Sequence, residues 1–173
     1  AESIARHAFS LVCNLRQHPM KGRAVGWLAD VALARGQPKE AAAFAREALT
    51  YLWADPKTHR SLSLLAAMAI FRMARAQHEE GESDRAVRLL APIEEGLLTM
   101  GVAQHLRNGY RDLLATLQSA MEPTQFKRLW AEGKAMTLSQ AVDYALMTPK
   151  GGKSRAAAKP NPLVDMSEEE PDG

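Results

Sequence analysis

Apolar residues recur along this chain at intervals of three and four. Ile4, Phe9, Val12 and Leu15 fall toward one side of the first stretch. Leu62, Leu65, Ala69 and Met73 do the same in a longer one. That is the 3.6-residue period of an amphipathic helix. No segment sustains the period-two alternation of a half-buried strand, so the pattern predicts an all-α protein. Helices are predicted over residues 2–17, 22–35, 38–53, 55–80, 84–100 and 105–121. His18-Pro19 is expected to stop the first, because the residue before proline is pushed out of the α region. Pro92 is expected to kink the fifth near Leu89, since proline removes a backbone bond inside a helix.

The pattern also repeats. ALARGQPKEAAAFAREAL at 32–49 aligns with AQHEEGESDRAVRLLAPI at 76–93 at an offset of 45 residues, matching Gly36 to Gly81 and Ala41 to Ala86. Each segment reads as a helix ended by glycine, a short polar turn, and a second helix opening on a small residue. Glycine takes the left-handed conformation that terminates a helix, and Pro38 suits a first helical turn. Ser83 or Asp84 is expected to cap the second copy. Ala41 and Ala86 leave room for close approach of antiparallel helices. Such hairpins bury their apolar faces only against neighbours, so a stack needs a cap. Residues 123–147 are predicted to supply one: Phe126, Leu129 and Trp130 share one face, Gly133 ends that helix, and Thr137 and Gln140 form a T-x-x-Q capping box.

Residues 125–146, QFKRLWAEGKAMTLSQAVDYAL, resemble the C-terminal end of the tetratricopeptide region of LuxR-type and MalT-like regulators and of related multidomain bacterial signalling ATPases. The Gly-x4-Ala turns and YRDLLATL at 110–117 belong to the same pattern, so the resemblance spans residues 1–147. It implies a short tetratricopeptide-like solenoid of stacked antiparallel hairpins. The solenoid would act as the sensing part of a larger regulator, receiving a partner or inducer and controlling a nucleotide-binding switch upstream. Two departures stand out. The chain has no GxxxxGK[ST] loop to which ATP binding could be assigned, and no helix-turn-helix follows Leu146. Pro92 also interrupts a helix that tetratricopeptide packing keeps straight.

Composition narrows the chemistry. Aromatic residues are 6% of the chain and alanine is abundant, which favours close-packed helices over a sheet. No apolar run reaches the roughly 20 residues that span a bilayer, and Glu2, Arg6 and Arg16 argue against a signal peptide. The single Cys13 excludes an internal disulfide and reads as core packing, which fits a cytoplasmic setting. The first residue is Ala, as in a piece of a longer polypeptide.

The net charge of +2 includes a tail at 148–173 with Lys150, Lys153, Arg155 and Lys159 followed by Asp165, Glu168, Glu169, Glu170 and Asp172. Four prolines and Gly151-Gly152 lie in the same stretch, so it is predicted to form a disordered linker or solubilising tail. Residues 1–147 hold 18 basic and 15 acidic groups, which is no nucleic-acid groove.

Candidate chemistry is sparse. His7, His18, His59, His78 and His105 lack metal-ligand spacing. Glu79, Glu80 and Glu82 read as a solvated run at a helix end, and Ser61 and Ser63 have no assigned base. No cofactor, metal or catalytic residue is expected, and the chain is read as non-catalytic. Trp27, Trp53 and Trp130 are expected to pack between hairpins, with a ligand groove as the alternative. Arg72, Arg75, Arg85 and Arg88 are expected to form a solvated face paired with Glu79 and Glu82, with an acidic partner as the alternative. The function expected is protein–protein interaction and signal sensing on the inner helices, around Trp27, Asp30, Arg72, Arg75 and Gln77. The partner would be a protein, a peptide or other domains of the same polypeptide. The alternative is a small-molecule inducer site serving transcriptional control.

Overall fold

Two glycines 45 residues apart close the same turn. Gly36 has φ 67° and Gly81 has φ 85°. At the first, the Gln37 amide donates to the Ala32 carbonyl at 2.9 Å and the Gly36 amide to Leu33 at 3.0 Å. At the second, the Glu82 amide donates to Gln77 at 2.8 Å and the Gly81 amide to His78 at 3.0 Å. Both are Schellman motifs, which absorb the last free carbonyls of one helix and reverse the chain into the next.

The computed structural model describes His7, Ser10 and residues 18–99 and 102–147. The helix expected at 2–17, Cys13 and the tail at 148–173 lie outside the described residues, save for His7 and Ser10. Among the described residues all regular structure is helical. Helices α1 (His18–Ala34) and α2 (Pro38–Leu52) form the first hairpin. A 3-10 turn, Pro56–Thr58, leads to α3 (His59–Glu79), which pairs with α4 (Ser83–Leu90) in the second. A second 3-10 turn, Ala91–Ile93, and α5 (Glu94–Thr99) follow. Then come α6 (Gln104–Ala120), α7 (Pro123–Lys134) and α8 (Leu138–Leu146).

The repeat is visible in the core. Ala41, Ala42, Ala45, Ala48 and Leu52 of α2 are buried, and so are their counterparts Ala86, Val87, Leu90, Ile93 and Leu97. Four alanines let α2 lie close to its neighbours, because interaxial distance follows side-chain size at the contact. Gly22 of α1 is part of that fit: a Cβ there would come within 2.6 Å of Leu52 Cγ.

Several local expectations hold. Pro38 opens α2 in its first turn. Thr137 and Gln140 make the capping box, with Thr137 N donating to Gln140 Oε1 at 2.8 Å and Gln140 N to Thr137 Oγ1 at 3.2 Å. Others are corrected. His18 and Pro19 lie within α1 and not in a break before it; the expected end of the first helix at residue 17 lies outside the described residues.

The fifth helix is interrupted at its proline as expected, the break starting at Ala91, two residues beyond Leu89, as a change of helix type. Pro92 has no N–H for the Arg88 carbonyl, and the chain tightens into the 3-10 turn between α4 and α5. Gly133 does not end its helix. It sits inside α7, where a Cβ would lie 2.6 Å from the Arg88 carbonyl oxygen and 2.7 Å from Ala91 Cβ. Its role is close packing of α7 on the proline break. Neither Ser83 nor Asp84 caps α4. Glu82 is the N-cap residue and makes no side-chain cap. Ser83 Oγ lies 3.2 Å from His78 Nδ1, and Asp84 Oδ1 accepts from Gln125 Nε2 at 2.9 Å.

The C-terminal pair turns back over the hairpins. Helix α7 lies against α4 and the second 3-10 turn, and α8 reaches α2, α3 and α4. Phe126, Leu129, Ala141, Val142 and Ala145 are the buried face of this pair.

Candidate functional site

Helices α1 and α3 are the first helices of successive hairpins, and they touch each other. A cleft of about 140 Å³ opens between them, lined by Gly22, Arg23 and Trp27 of α1 and Leu65, Met68 and Arg72 of α3, with Leu52 and Ala69 beneath. Trp27 and Arg72 stand at the same 45-residue offset as the glycines, so the repeat places one above the other on the same row.

Trp27 is 47% exposed, one of few large apolar side chains left to solvent among the described residues. It therefore does not pack between hairpins as expected. Its indole lies 6.0 Å from the Arg23 guanidinium carbon. Trp53 and Trp130 are part-buried against the core, Trp53 stacking on His59 at 3.8 Å and Trp130 on Phe126 of its own helix at 5.7 Å.

Arg72 is 6% exposed and grips Asp30 with both arms of its fork. Nε donates to Oδ1 at 2.9 Å and Nη2 to Oδ2 at 2.7 Å. Gly26 makes the space: a Cβ there would meet Arg72 Nη1 at 3.1 Å. A bidentate pair of this kind is directional as well as strong, and it locks α1 against α3 beneath Trp27.

Of the five residues singled out in the sequence, Trp27, Asp30 and Arg72 come together here. Arg75 does not join them. It lies over the Phe71 ring at 6.0 Å, and Phe71 tilts against Tyr110 of α6 at 6.1 Å. Gln77 is 3% exposed at the foot of the second hairpin, where Nε2 donates to Glu80 Oε2 at 3.2 Å and Oε1 has no partner. Arg23, Gly26 and Met68 belong to the groove and were not singled out. Extending the 45-residue alignment upstream of Gly36 would have flagged the row, because it superposes Arg23 on Met68 and Trp27 on Arg72.

The remaining arginines are not a solvated face paired with Glu79 and Glu82. Arg85 is buried, and its Nη2 donates to the carbonyls of Tyr144 at 2.8 Å, Ala145 at 3.5 Å and Met147, with the guanidinium 4.9 Å from the Tyr144 ring. Burial pushes the Arg85 guanidinium below its ordinary value, against the pull of Tyr144. Arg88 Nε donates to Glu132 Oε2 at 2.7 Å, joining α4 to α7. These side chains hold the C-terminal pair on the second hairpin.

A second cleft, about 260 Å³, lies between α3, α5 and α8, lined by Leu64, Ala67, Pro92, Ile93, Gly96 and Leu138, with Ser63 and Glu95 at its rim. Among the described residues no group of three or more His, Cys, Asp or Glu side chains is placed to hold a metal ion. No described helix is long and apolar enough to cross a membrane. No family model, curated protein or solved structure matches this chain.

Proposed function

We propose that the chain is a non-catalytic interaction module that docks a peptide or helix in the α1–α3 groove. The observation that carries this reading is the solvent-facing Trp27 beside a rigid fork, the buried Arg72 held by the part-exposed Asp30. An exposed aromatic beside a cation is the side-chain chemistry enriched at binding hot spots. The fork is preorganised, so little ordering is required on binding. The resemblance of 125–146 to the tetratricopeptide end of LuxR-type and MalT-like regulators supports the same role, as the receiving part of a larger cytoplasmic regulator. The test is selection of a random peptide library on the full chain. The reading expects enriched peptides whose binding is lost in Trp27→Ala. It is wrong if nothing is enriched, or if enriched peptides bind Trp27→Ala equally.

A second reading, a small-molecule inducer site, is favoured by the larger α3–α5–α8 cleft, whose volume approaches the roughly 300 Å³ at which ligand pockets begin. A thermal-shift screen of sugars, nucleotides and metabolites tests it, since a ligand of the folded state raises the melting temperature by mass action. Stabilisation that disappears in Ala67→Trp, which fills the cleft, supports this reading; no stabilising compound counts against it.

A further inference from the structure

We propose that the α1–α3 groove is occupied by the chain's own residues 163–170 when no other partner is present, an inference that rests on the groove reading above. The argument is complementarity of chemistry and order. The groove offers an apolar wall, Trp27, Leu65 and Met68, bordered by the cation Arg23. Residues 163–170 read Leu-Val-Asp-Met-Ser-Glu-Glu-Glu, three apolar side chains interrupted by Asp165 and followed, after Ser167, by three more carboxylates. Leu163, Val164 and Met166 match the wall, and Glu168 to Glu170 match Arg23.

The wider charge distribution agrees. Helices α1 and α3 carry Lys21, Arg23, Arg60, Arg72 and Arg75 against Asp30, already held by Arg72, and Glu79 at the far end of α3. Neither Arg23 nor Arg75 has a carboxylate partner among the described residues. The other half of the tail, Lys150, Lys153, Arg155 and Lys159, is repelled by the same face, so the charge order of the tail directs its acidic end inward.

Reach is ample. The stretch from Met147 to Leu163 extends up to roughly 50 Å at about 3.3 Å per residue, against a diameter of roughly 35 Å for a domain of this size. A tethered segment binds at an effective concentration near millimolar, so a weak contact suffices for occupancy. The consequence is competition: a partner entering the groove must displace residues 163–170.

The experiment uses the full chain labelled with 5-fluorotryptophan, read by fluorine NMR, with the Trp27 resonance assigned by its loss in Trp27→Phe. Trp53 and Trp130 serve as internal controls. In Glu168→Lys/Glu169→Lys/Glu170→Lys the Trp27 resonance should move and the other two should stay. Raising salt to about 1 M, where the Debye length is about 3 Å, should reproduce the triple variant. A Trp27 resonance indifferent to tail charge overturns the proposal. So does a shift that vanishes on dilution, which would make the occupant a second copy. Failure here leaves peptide selection on the groove untouched, whereas a groove that selects no peptide fails separately.

Discussion

Arg85, in the first turn of α4, donates a hydrogen bond of 2.8 Å to the Tyr144 carbonyl in the last turn of α8. The last four carbonyls of a helix have no intrahelical donors, and a cation there also meets the negative end of the helix dipole. One buried side chain thus terminates α8 and ties it to the second hairpin across 59 residues of sequence. Arg85→Ala should destabilise the protein by about 2–3 kcal/mol, the worth of charge-assisted bonds whose partners are left behind. Urea denaturation measures the loss. Hydrogen exchange should show it concentrated in α8, and an unchanged α8 would contradict the capping role.

Gly133 and Gly36 are both glycines for different reasons, and their alanine variants should separate them. At Gly36 the space is open and only the positive φ opposes a side chain, so Gly36→Ala should cost about 1–2 kcal/mol. At Gly133 the Cβ meets backbone atoms of Arg88, which cannot rotate away. Overpacking of that kind typically costs about 1–3 kcal/mol, and here it should also displace α7. Trp130 fluorescence should change in Gly133→Ala and stay constant in Gly36→Ala.

The acid limb of stability should follow Glu132 and Glu122. The hydrogen bond from Arg88 holds the Glu132 carboxyl below its ordinary value of 4.5, and the hydroxyl and amide of Thr124 do the same for Glu122. A depressed folded value means stabilisation that is present above pH 4.5 and lost as pH falls through the folded values. Melting temperature should therefore drop from about pH 4.5 downward, less steeply in Glu132→Gln.

At the alkaline end the sign reverses. Burial, reinforced by Glu94, holds the Tyr110 phenol well above its ordinary 10.0, with its hydroxyl donating to the Leu90 carbonyl at 3.1 Å. The unfolded chain ionises first, so stability should fall as pH rises past 10.0. Tyr110→Phe should remove that component of the decline.

The Arg72–Asp30 fork should be worth more broken than absent. Asp30→Ala leaves a buried guanidinium unpaired and should cost about 1–3 kcal/mol, a range that allows for the half-exposed Asp30 carboxylate. Asp30→Ala/Arg72→Met should recover part of that loss in a double-mutant cycle. Full additivity would mean the pair does not act as a unit.

The hairpin turns, the Ala41 and Ala86 approaches and the Thr137 cap were legible in the sequence because each rests on a local backbone requirement. The polar partners were not. Arg85 lies 59 residues from the carbonyl it caps, and Arg72 lies 42 from Asp30. Helical spacing gives an arginine's face but not the element that meets it, so both looked like members of a solvated row. Gly133 misled for a related reason: a glycine near a helix end signals termination, and only the packed Arg88–Ala91 backbone reveals a contact that excludes a Cβ. Trp27 looked like packing because its exposure depends on how α1 and α3 splay, which no local pattern encodes.

The most direct test of the groove is the affinity of a selected peptide for the wild-type chain and for Trp27→Ala. Trp27 is about half exposed, so the substitution should cost about 1–2 kcal/mol from the covered half of the ring, a loss that urea denaturation measures apart from binding. The account predicts a Kd at least about tenfold weaker in Trp27→Ala, the loss of more than about 1.4 kcal/mol that a hot spot entails. An unchanged Kd in a folded Trp27→Ala protein would contradict it.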